Sequence, residues 1–275
     1  MLALLIASLA ISVANAFPPP GPEECGYFQY DGIWYSILPD NDYKVEIKMF
    51  FMLTKPASDE IKVSESNEPI DVIIPEKVEY KGHKYTVIGL GKSAFDPYLS
   101  IKALKLPQSI EYFDEYALCG CKIGTLYMPD SEIRYDDRSF APNGVGEFIT
   151  SDANPLFAAK DGILYTKDLK TLLCYPFFKT DGFTFPRELE NIACNAFYSC
   201  NITSVDLPSG IKTIGSSAFF DSKLESVRFS SPVKIEDGVF YRCSDLKSVE
   251  WDISMSTKDA EKYQSLGESA FSQCN

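Results

Sequence analysis

The 275-residue chain carries 39 Asp and Glu residues against 26 Lys and Arg residues, which leaves a net charge of −13 at pH 7. Nucleic-acid backbones and anionic lipid repel a chain this acidic, so we expect neither to be its partner. With 45% hydrophobic residues, the chain is apolar enough to bury a core, and its length fits one large domain or two small ones.

The first segment is typical of a secretory signal peptide. Residues 1–13 are almost wholly apolar, and Ala14-Asn15-Ala16 forms a small-x-small cleavage site. The apolar stretch is too short to span a hydrocarbon core of about 30 Å, and a run of prolines follows it. We therefore predict a signal peptide over residues 1–16 and a secreted or cell-surface protein with no membrane insertion through this chain.

The next region, residues 17–68, is predicted to be a β-rich N-terminal cap. Gly26-Tyr27-Phe28-Gln29-Tyr30 and Tyr43-Lys44-Val45-Glu46-Ile47 alternate between apolar and polar residues, as strands do. Such a cap would cover the open end of a stack of repeats. The polar stretch at residues 55–69 is predicted to be a loop.

An internal repeat fills residues 69–275. Its marker is a small residue followed by a large apolar one, which we call the ladder residue. The ladder residues are Phe95, Leu118, Phe140, Phe197, Phe219, Phe240 and Phe271. Most of the steps between them have a length of about 22 positions, whereas the steps that end at Phe197 and Phe271 are longer and contain insertions. Prolines at 107, 129, 186 and 208 precede four of the ladder residues by one constant interval, and two markers in constant phase define one structural unit.

One unit, residues 201–219, predicts how each coil is built. Val205 and Leu207 alternate with Ser204 and Asp206, as on a strand with one buried face. A second apolar pair after the proline predicts a return along the opposite wall, and the ladder residue closes the coil in a short helical turn. A single coil cannot bury these side chains, so consecutive coils must stack and place their ladder residues in one continuous column.

The unit L-x-x-V-x-L-P-x-x-[IL]-x-x-I-G-x-x-A-F-x-x-C resembles the BspA-like leucine-rich repeat. Residues 202–222 and 101–121 carry this pattern most fully, and residues 224–243 carry it more loosely. Residues 144–182 resemble the β-hairpin insertion that the family often carries between repeats, which accounts for the long step from Phe140 to Phe197. The resemblance implies a leucine-rich-repeat solenoid, mainly β, with a parallel strand ladder on its concave face.

The strand pattern also predicts which side chains face solvent on the concave face. The outward position two residues before each strand end forms one column, which begins at Ile73. Its ligand-contact candidates are Lys105, Tyr127, Thr184, Asp206, Arg228 and Glu250. Tyr and Arg often dominate the energetics of protein interfaces, which favours a protein ligand. The alternative is that mixed polar residues stand there only because one face of the strand must meet water.

Four of the eight cysteines, Cys121, Cys200, Cys243 and Cys274, lie three residues after a ladder residue. Only Cys243 and Cys274 fall on adjacent coils, and two coils at about 4.8 Å each exceed the roughly 7 Å between α-carbons that a disulfide can bridge. These two are therefore the disulfide candidates. The alternative is a column of small buried thiols. Cys119 and Cys121 are the one close pair and the single histidine is distant, so we predict no metal site.

No set of residues in the chain predicts an enzyme. The single histidine, His83, lies in a Lys-Gly-His-Lys turn, and Gly144-Val145-Gly146 lacks the third glycine and the lysine of a phosphate-binding loop. We assign no catalytic residue and no cofactor. Asn201-Ile202-Thr203 is a glycosylation sequon, so Asn201 is a candidate glycan acceptor, with a structural role at the turn as the alternative.

The resemblance implies a binding function, since the family is known from mucosal bacteria and protists. The first hypothesis is a non-enzymatic, adhesin-like scaffold that contacts proteins of a host or of a neighbouring cell. The second is a structural or decoy protein that self-associates through its C-terminal coil, because the chain stops where another strand would begin. A longer gene product, or residues 254–264 folded over the last coil, would also explain that end.

Overall fold

A computed structural model describes residues 26–31, 33–38, 43–50, 69–95, 100–136, 138–140, 144–180, 183–251, 267 and 269–274. The predicted signal peptide at residues 1–16 and the segment at residues 254–264 lie outside these ranges. The strands are β1 (Tyr27–Tyr30), β2 (Ile33–Ile37), β3 (Lys44–Phe50), β4 (Ile70–Ile73), β5 (Lys77–Tyr80), β6 (His83–Leu90), β7 (Ser100–Lys105), β8 (Tyr112–Phe113), β9 (Lys122–Tyr127), β10 (Val145–Ile149), β11 (Phe157–Lys160), β12 (Ile163–Thr166), β13 (Thr171–Cys174), β14 (Asn191–Ile192), β15 (Ser204–Leu207), β16 (Thr213–Ile214), β17 (Ser226–Phe229), β18 (Lys234–Ile235) and β19 (Ser248–Trp251).

Two walls of parallel strands form a solenoid. In the first wall, β4, β7, β9 and β10 are neighbours, and further along the chain β15, β17 and β19 are neighbours in the same way. In the second wall, the two-residue strands β14, β16 and β18 follow β13. Most coils contribute to both walls and pair with neighbouring coils, whereas the coil that contains Thr184 contributes no strand to the first wall. The predicted solenoid with a parallel strand ladder is thus confirmed.

Equivalent residues of successive coils lie side by side. Val205 pairs with Val227, and Leu207 pairs with Phe229. All four side chains are buried, whereas Asp206 between them is exposed. The alternation in the sequence therefore becomes a wall with one apolar face toward the core and one polar face toward solvent.

The ladder residues of the second half of the solenoid stack face to face. The ring centroids of Tyr175 and Phe197 are 4.8 Å apart, and those of Phe197 and Phe219 are 4.6 Å apart. The column continues through Phe240 at 5.4 Å and Phe271 at a further 5.0 Å. Tyr175, which no repeat marker identifies, takes the ladder position in the coil of the insertion. Each stacked pair of rings stabilises the fold by about 0.5–1.5 kcal/mol in addition to the contribution of the area that it buries.

The buried core divides at the insertion, so the column is not continuous as predicted. One cluster contains Leu118, Phe140 and Phe157, and the other contains Tyr175 and Phe197. Phe140 meets Phe157 of β11 edge to face at 5.7 Å. The aliphatic Leu118 and the inserted hairpin together interrupt the face-to-face stacking.

Each coil closes in a corner, the segment from two residues before to three residues after the ladder residue. The amide of Phe220 donates to the carbonyl oxygen of Ser217, and the amide of Ser222 donates to that of Phe219, so the corner consists of hydrogen-bonded turns. Positive φ recurs two residues before the ladder residue, at Ser93, Tyr116, Asn195, Ser217, Gly238 and Ser269. It recurs two residues after it, at Gly120, Ser199, Asp221, Arg242 and Gln273. Because positive φ is incompatible with a right-handed helix, the corners are not the short helical turns that the sequence predicts, and the described residues contain no helix.

The insertion contributes an antiparallel unit to the second wall. Strand β11 pairs with β12, and β12 pairs with β13, both antiparallel. Strand β13 then pairs parallel with β14 and so restarts the wall. Strand β10, at the start of the predicted insertion, instead pairs parallel with β9.

The N-terminal strands extend the second wall at its first coil. Strands β1, β2 and β3 are antiparallel, and β3 pairs parallel with β6. The Phe28 ring stacks on the Tyr80 ring at 4.5 Å. The Oη atom of Tyr112 in β8 donates to the buried Glu46 carboxylate of β3 at 2.7 Å. Apolar packing and a partly buried hydrogen bond thus join this region to the coils.

Candidate binding surface

One row of exposed side chains crosses the first four strands of the first wall. Ile73 pairs with Lys105, Lys105 with Tyr127, and Tyr127 with Ile149. We call these four residues the apolar column, because three of them are large, apolar and exposed. Ile73, Tyr127 and Ile149 are 50%, 40% and 37% exposed. A cavity of about 310 Å³ lies against Ile73, Lys105 and Tyr127. Two of the predicted contact candidates, Lys105 and Tyr127, therefore lie side by side on an open surface.

A second row crosses the later strands of the same wall. Asp206 pairs with Arg228, and Arg228 pairs with Glu250. We call these three exposed residues the charged column. The Oγ atom of Ser248 lies 3.3 Å from Oε1 of Glu250 within β19. Neighbouring strands lie about 4.8 Å apart, so the row presents acid, base and acid at regular spacing.

Thr184 lies between the two columns and outside the strands. It is exposed, two residues before Pro186, as the sequence predicts, but it does not pair in the wall. Thr184 and Asp206 line one cavity of about 440 Å³ together with Phe183 and Phe185. The structure therefore places Thr184 beside the charged column rather than in a continuous row with it.

Ile149 belongs to the apolar column but is absent from the predicted set. Proline marks the strand end two residues after Lys105, Tyr127, Thr184 and Asp206, whereas Ser151 stands at that position after Ile149, as Ser230 does after Arg228. The signal that would have found it is the period, since Ile149 follows Tyr127 by the same interval by which Tyr127 follows Lys105. Regular stacking is a better guide to this column than the proline is.

Two glycines let the first strands approach closely. A Cβ atom on Gly124 would lie 2.6 Å from the carbonyl oxygen of Lys102, and one on Gly146 would lie 2.6 Å from that of Gly124. Real side chains do not tolerate such contacts, so these positions require glycine. The glycines therefore allow the close strand pairing that aligns Lys105, Tyr127 and Ile149.

The remaining predicted residues occupy separate places. Asn201 is exposed at a coil edge, with its Nδ2 atom 3.3 Å from the carbonyl oxygen of Phe177, and glycosylation there stays a prediction. Cys243 and Cys274 are present as thiols, each directed at a backbone carbonyl oxygen, and their disulfide likewise stays a prediction. His83 begins β6, and its exposed ring stacks on Tyr43 at 5.1 Å.

The described residues form neither a metal site nor a membrane-spanning helix. Within those ranges, no group of three or more His, Cys, Asp or Glu residues could hold a metal ion. Nor does the described part of the chain hold a helix that is long and apolar enough to cross a membrane.

The repeat architecture defines the chain as a leucine-rich-repeat protein. The profile of the BspA-type leucine-rich repeat region matches residues 75–154 and 173–275, in six copies. The chain belongs to this family. No curated protein sequence is similar enough to the chain to count as a relative.

Several solved structures of bacterial proteins are similar in fold. The pneumococcal vaccine antigen PcpA is 16% identical over 82% of this chain and 78% of its own, with a TM-score of 0.42. A leucine-rich cell surface protein from Faecalibacterium prausnitzii is 13% identical over 87% of this chain and 97% of its own, with a TM-score of 0.34. The T. pallidum leucine-rich repeat protein is 20% identical over 88% of this chain and 98% of its own, with a TM-score of 0.38.

Proposed function

We propose that the protein is an extracellular, non-enzymatic scaffold that binds another protein along its first wall. In this role it would act as an adhesin-like protein toward a host or neighbouring cell. The single observation that carries the proposal is the apolar column, which exposes Ile73, Tyr127 and Ile149 in register on a regular sheet.

The apolar column is costly for a surface that only meets water. The charged column shows that outward positions of the same wall accept Asp, Arg and Glu. Large apolar side chains at the equivalent positions expose area that burial under a partner would stabilise, at about 25 cal/mol per Å². Tyr is also enriched among residues that dominate binding energies. A partner that covers both columns would gain affinity from the apolar column, and the charged column would fix its position along the wall.

The extracellular location rests on the sequence. The apolar segment and small-x-small site at residues 1–16 are typical of exported proteins, and the sequon at Asn201 lies on an exposed edge. The non-enzymatic part of the proposal rests on the residue types, because the single histidine, His83, stacks on Tyr43 and belongs to neither column.

The test is binding of the purified mature chain to a panel of purified extracellular matrix and mucosal proteins, measured by biolayer interferometry. The variant Tyr127→Ser with Ile149→Ser should weaken binding to any ligand found by at least about tenfold, which corresponds to about 1.4 kcal/mol. Phe178→Ser is the matched control, because Phe178 is equally large and 52% exposed but lies off the wall.

Three results would count against the proposal. If a ligand binds the double variant as tightly as the wild type, its binding site lies elsewhere on the molecule. A dimer seen by light scattering, and lost in the double variant, makes a second copy the partner and favours self-association. Turnover of a peptide or glycan substrate by the wild-type chain would show that the protein is an enzyme.

A further inference from the structure

A cavity lies at the corners of the coils, and we call it the corner cleft. It has a volume of about 660 Å³. Ser93, Tyr116 and Arg138 line it from coils before the insertion, and Asn195, Tyr198 and Ser217 line it from coils after the insertion. The cleft therefore brings together residues that are far apart in the chain.

The lining of the corner cleft departs from the charge of the whole chain. The sequence holds 39 Asp and Glu residues against 26 Lys and Arg. Among the described residues that line the cleft, Arg138 is the one charged side chain, and none is Asp or Glu. Hydroxyl, amide and thiol groups form the rest of the polar lining. The cleft thus offers a cation and many neutral hydrogen-bonding groups to whatever enters it.

Arg138 pairs with a carboxylate that does not itself line the cleft. Its Nη1 atom lies 2.7 Å from Oε1 of Glu115, whose other oxygen lies 3.0 Å from Nζ of Lys92. The hydrogen bond from Arg138, followed by that from Lys92, lowers the pKa of Glu115, so this carboxylate stays ionised. A guanidinium has five N–H donors, and the bond to Glu115 leaves donors for a ligand carboxylate.

The two aromatic walls are also fixed before any ligand binds. Phe220 stacks on Tyr198 at 4.8 Å with an interplanar angle of 8°. Nζ of Lys92 lies 5.3 Å from the centroid of the Tyr116 ring. Both rings are half-buried. Rings that are already held in place lose little conformational freedom on binding, which favours affinity.

The volume of the cleft falls within the range of about 300–1,000 Å³ that small-molecule sites occupy. A sugar ring has apolar C–H faces that pack on aromatic rings and hydroxyl groups that bond to Ser and Asn side chains. An added carboxylate would pair with Arg138 through two parallel hydrogen bonds. We propose that the corner cleft binds a sugar that carries a carboxylate, such as a uronic acid, with its ring between Tyr116 and Tyr198 and its carboxylate at Arg138. This site is independent of the protein-binding first wall.

The test titrates the purified mature chain with D-glucuronate by saturation-transfer NMR, with D-glucose and acetate as the uncharged ring and the bare carboxylate. Glucuronate should bind at least about tenfold tighter than either, because each supplies only half of the contacts. Methyl β-D-glucuronide distinguishes a site for the terminal residue of a glycan from a site for the free sugar acid. Equal binding of the glycoside assigns the site to the terminal residue of a glycan, and weaker binding assigns it to the free sugar acid.

Matched variants locate the binding. Arg138→Gln should weaken glucuronate binding by about tenfold or more, and Arg138→Lys should weaken this binding less. Arg242→Gln should have no effect, since Arg242 is a corner arginine that also contacts a carboxylate but does not line the cleft. Tyr198→Ala should weaken binding, whereas Tyr241→Ala, at the far end of the same row of rings, should not.

The proposal fails on any of three outcomes. Glucuronate that gives no saturable signal shows that the cleft does not take this sugar. Glucose or acetate that binds as tightly as glucuronate shows that ring and carboxylate do not act together. Arg138→Gln that binds like the wild type, with an unchanged melting temperature, places the ligand elsewhere.

Discussion

The sulfur of Cys243 lies 2.9 Å from the carbonyl oxygen of Phe219, the ladder residue of the coil before it. Cys274 repeats the relationship at 3.0 Å from the carbonyl oxygen of Phe240. Each of these two thiols, three residues after a ladder residue, therefore donates to the ladder residue of the preceding coil. In the thiol form, this role accounts for the spacing of Cys243 and Cys274; their predicted disulfide would remove both donor protons and stays a prediction.

Cys243 should make stability depend on pH in the alkaline range. Burial, the largest cause, raises its pKa from 9.0 to about 11. The folded state therefore keeps the proton that the unfolded state loses, so the stabilising contribution is complete below pH 9 and disappears as pH rises from about 9 to about 11. The urea midpoint, measured with reducing agent present, should fall more steeply over this window in the wild type than in Cys243→Ala. Equal slopes in the two proteins would contradict the role given to this thiol.

Removing a ring from the middle of the stacked column should lower the free energy of unfolding more than removing one from its end. Phe219 is fully buried and stacks on Phe197 at 4.6 Å and on Phe240 at 5.4 Å. Phe219→Ala should lower the free energy of unfolding by about 3–5 kcal/mol, because it leaves a cavity and removes two stacked pairs. Phe219→Leu should cost less, since it keeps most of the volume. Phe178→Ala, on the exposed surface, should change stability by less than about 0.5 kcal/mol in the same urea titration.

The wall and its outward residues could be predicted from sequence because they follow the period of the repeat. Asp206, Arg228 and Glu250 are each separated by one repeat length, and stacking one coil on the next puts them side by side. Thr184 has the correct phase but lies in a coil whose chain runs outside the strands, so the period predicts its exposure and not its pairing.

The corner cleft could not be predicted in the same way. Tyr116 and Tyr198 face one cavity because of how the coils meet across the insertion, and the period of the repeat does not describe that path. The backbone conformation of the turns at the corners could not be predicted from the repeat pattern either. Ser217 and Asn195 adopt positive φ although neither is glycine, because the hydrogen bonds between coils hold the backbone there.

Gly238 in the corner that contains Phe240 should be sensitive to an added methyl group. Its φ of 60° is the left-handed conformation that the other corners impose on L-residues. A Cβ atom there would lie 3.6 Å from Oγ of Ser217, an ordinary contact, so the cost comes from the backbone alone. Gly238→Ala should therefore lower the unfolding free energy by about 1 kcal/mol. Gly238→Asn should cost less, because Asn accepts this conformation, and an alanine variant as stable as the wild type would contradict the argument.

The hydrogen bond between Tyr112 and Glu46 should decide how firmly the N-terminal strands hold to the coils. Glu46 is 8% exposed, and burial raises the pKa of Tyr112, so the phenol remains a donor at neutral pH. Tyr112→Phe keeps the ring but leaves the carboxylate without this donor, which should cost about 1–3 kcal/mol. Hydrogen exchange should then speed up at Val45 and Ile47 in β3 and stay unchanged at Val227 in β17. Faster exchange at all three by the same factor would instead show that the N-terminal strands and the coils unfold as one cooperative unit, and that the bond stabilises the whole chain.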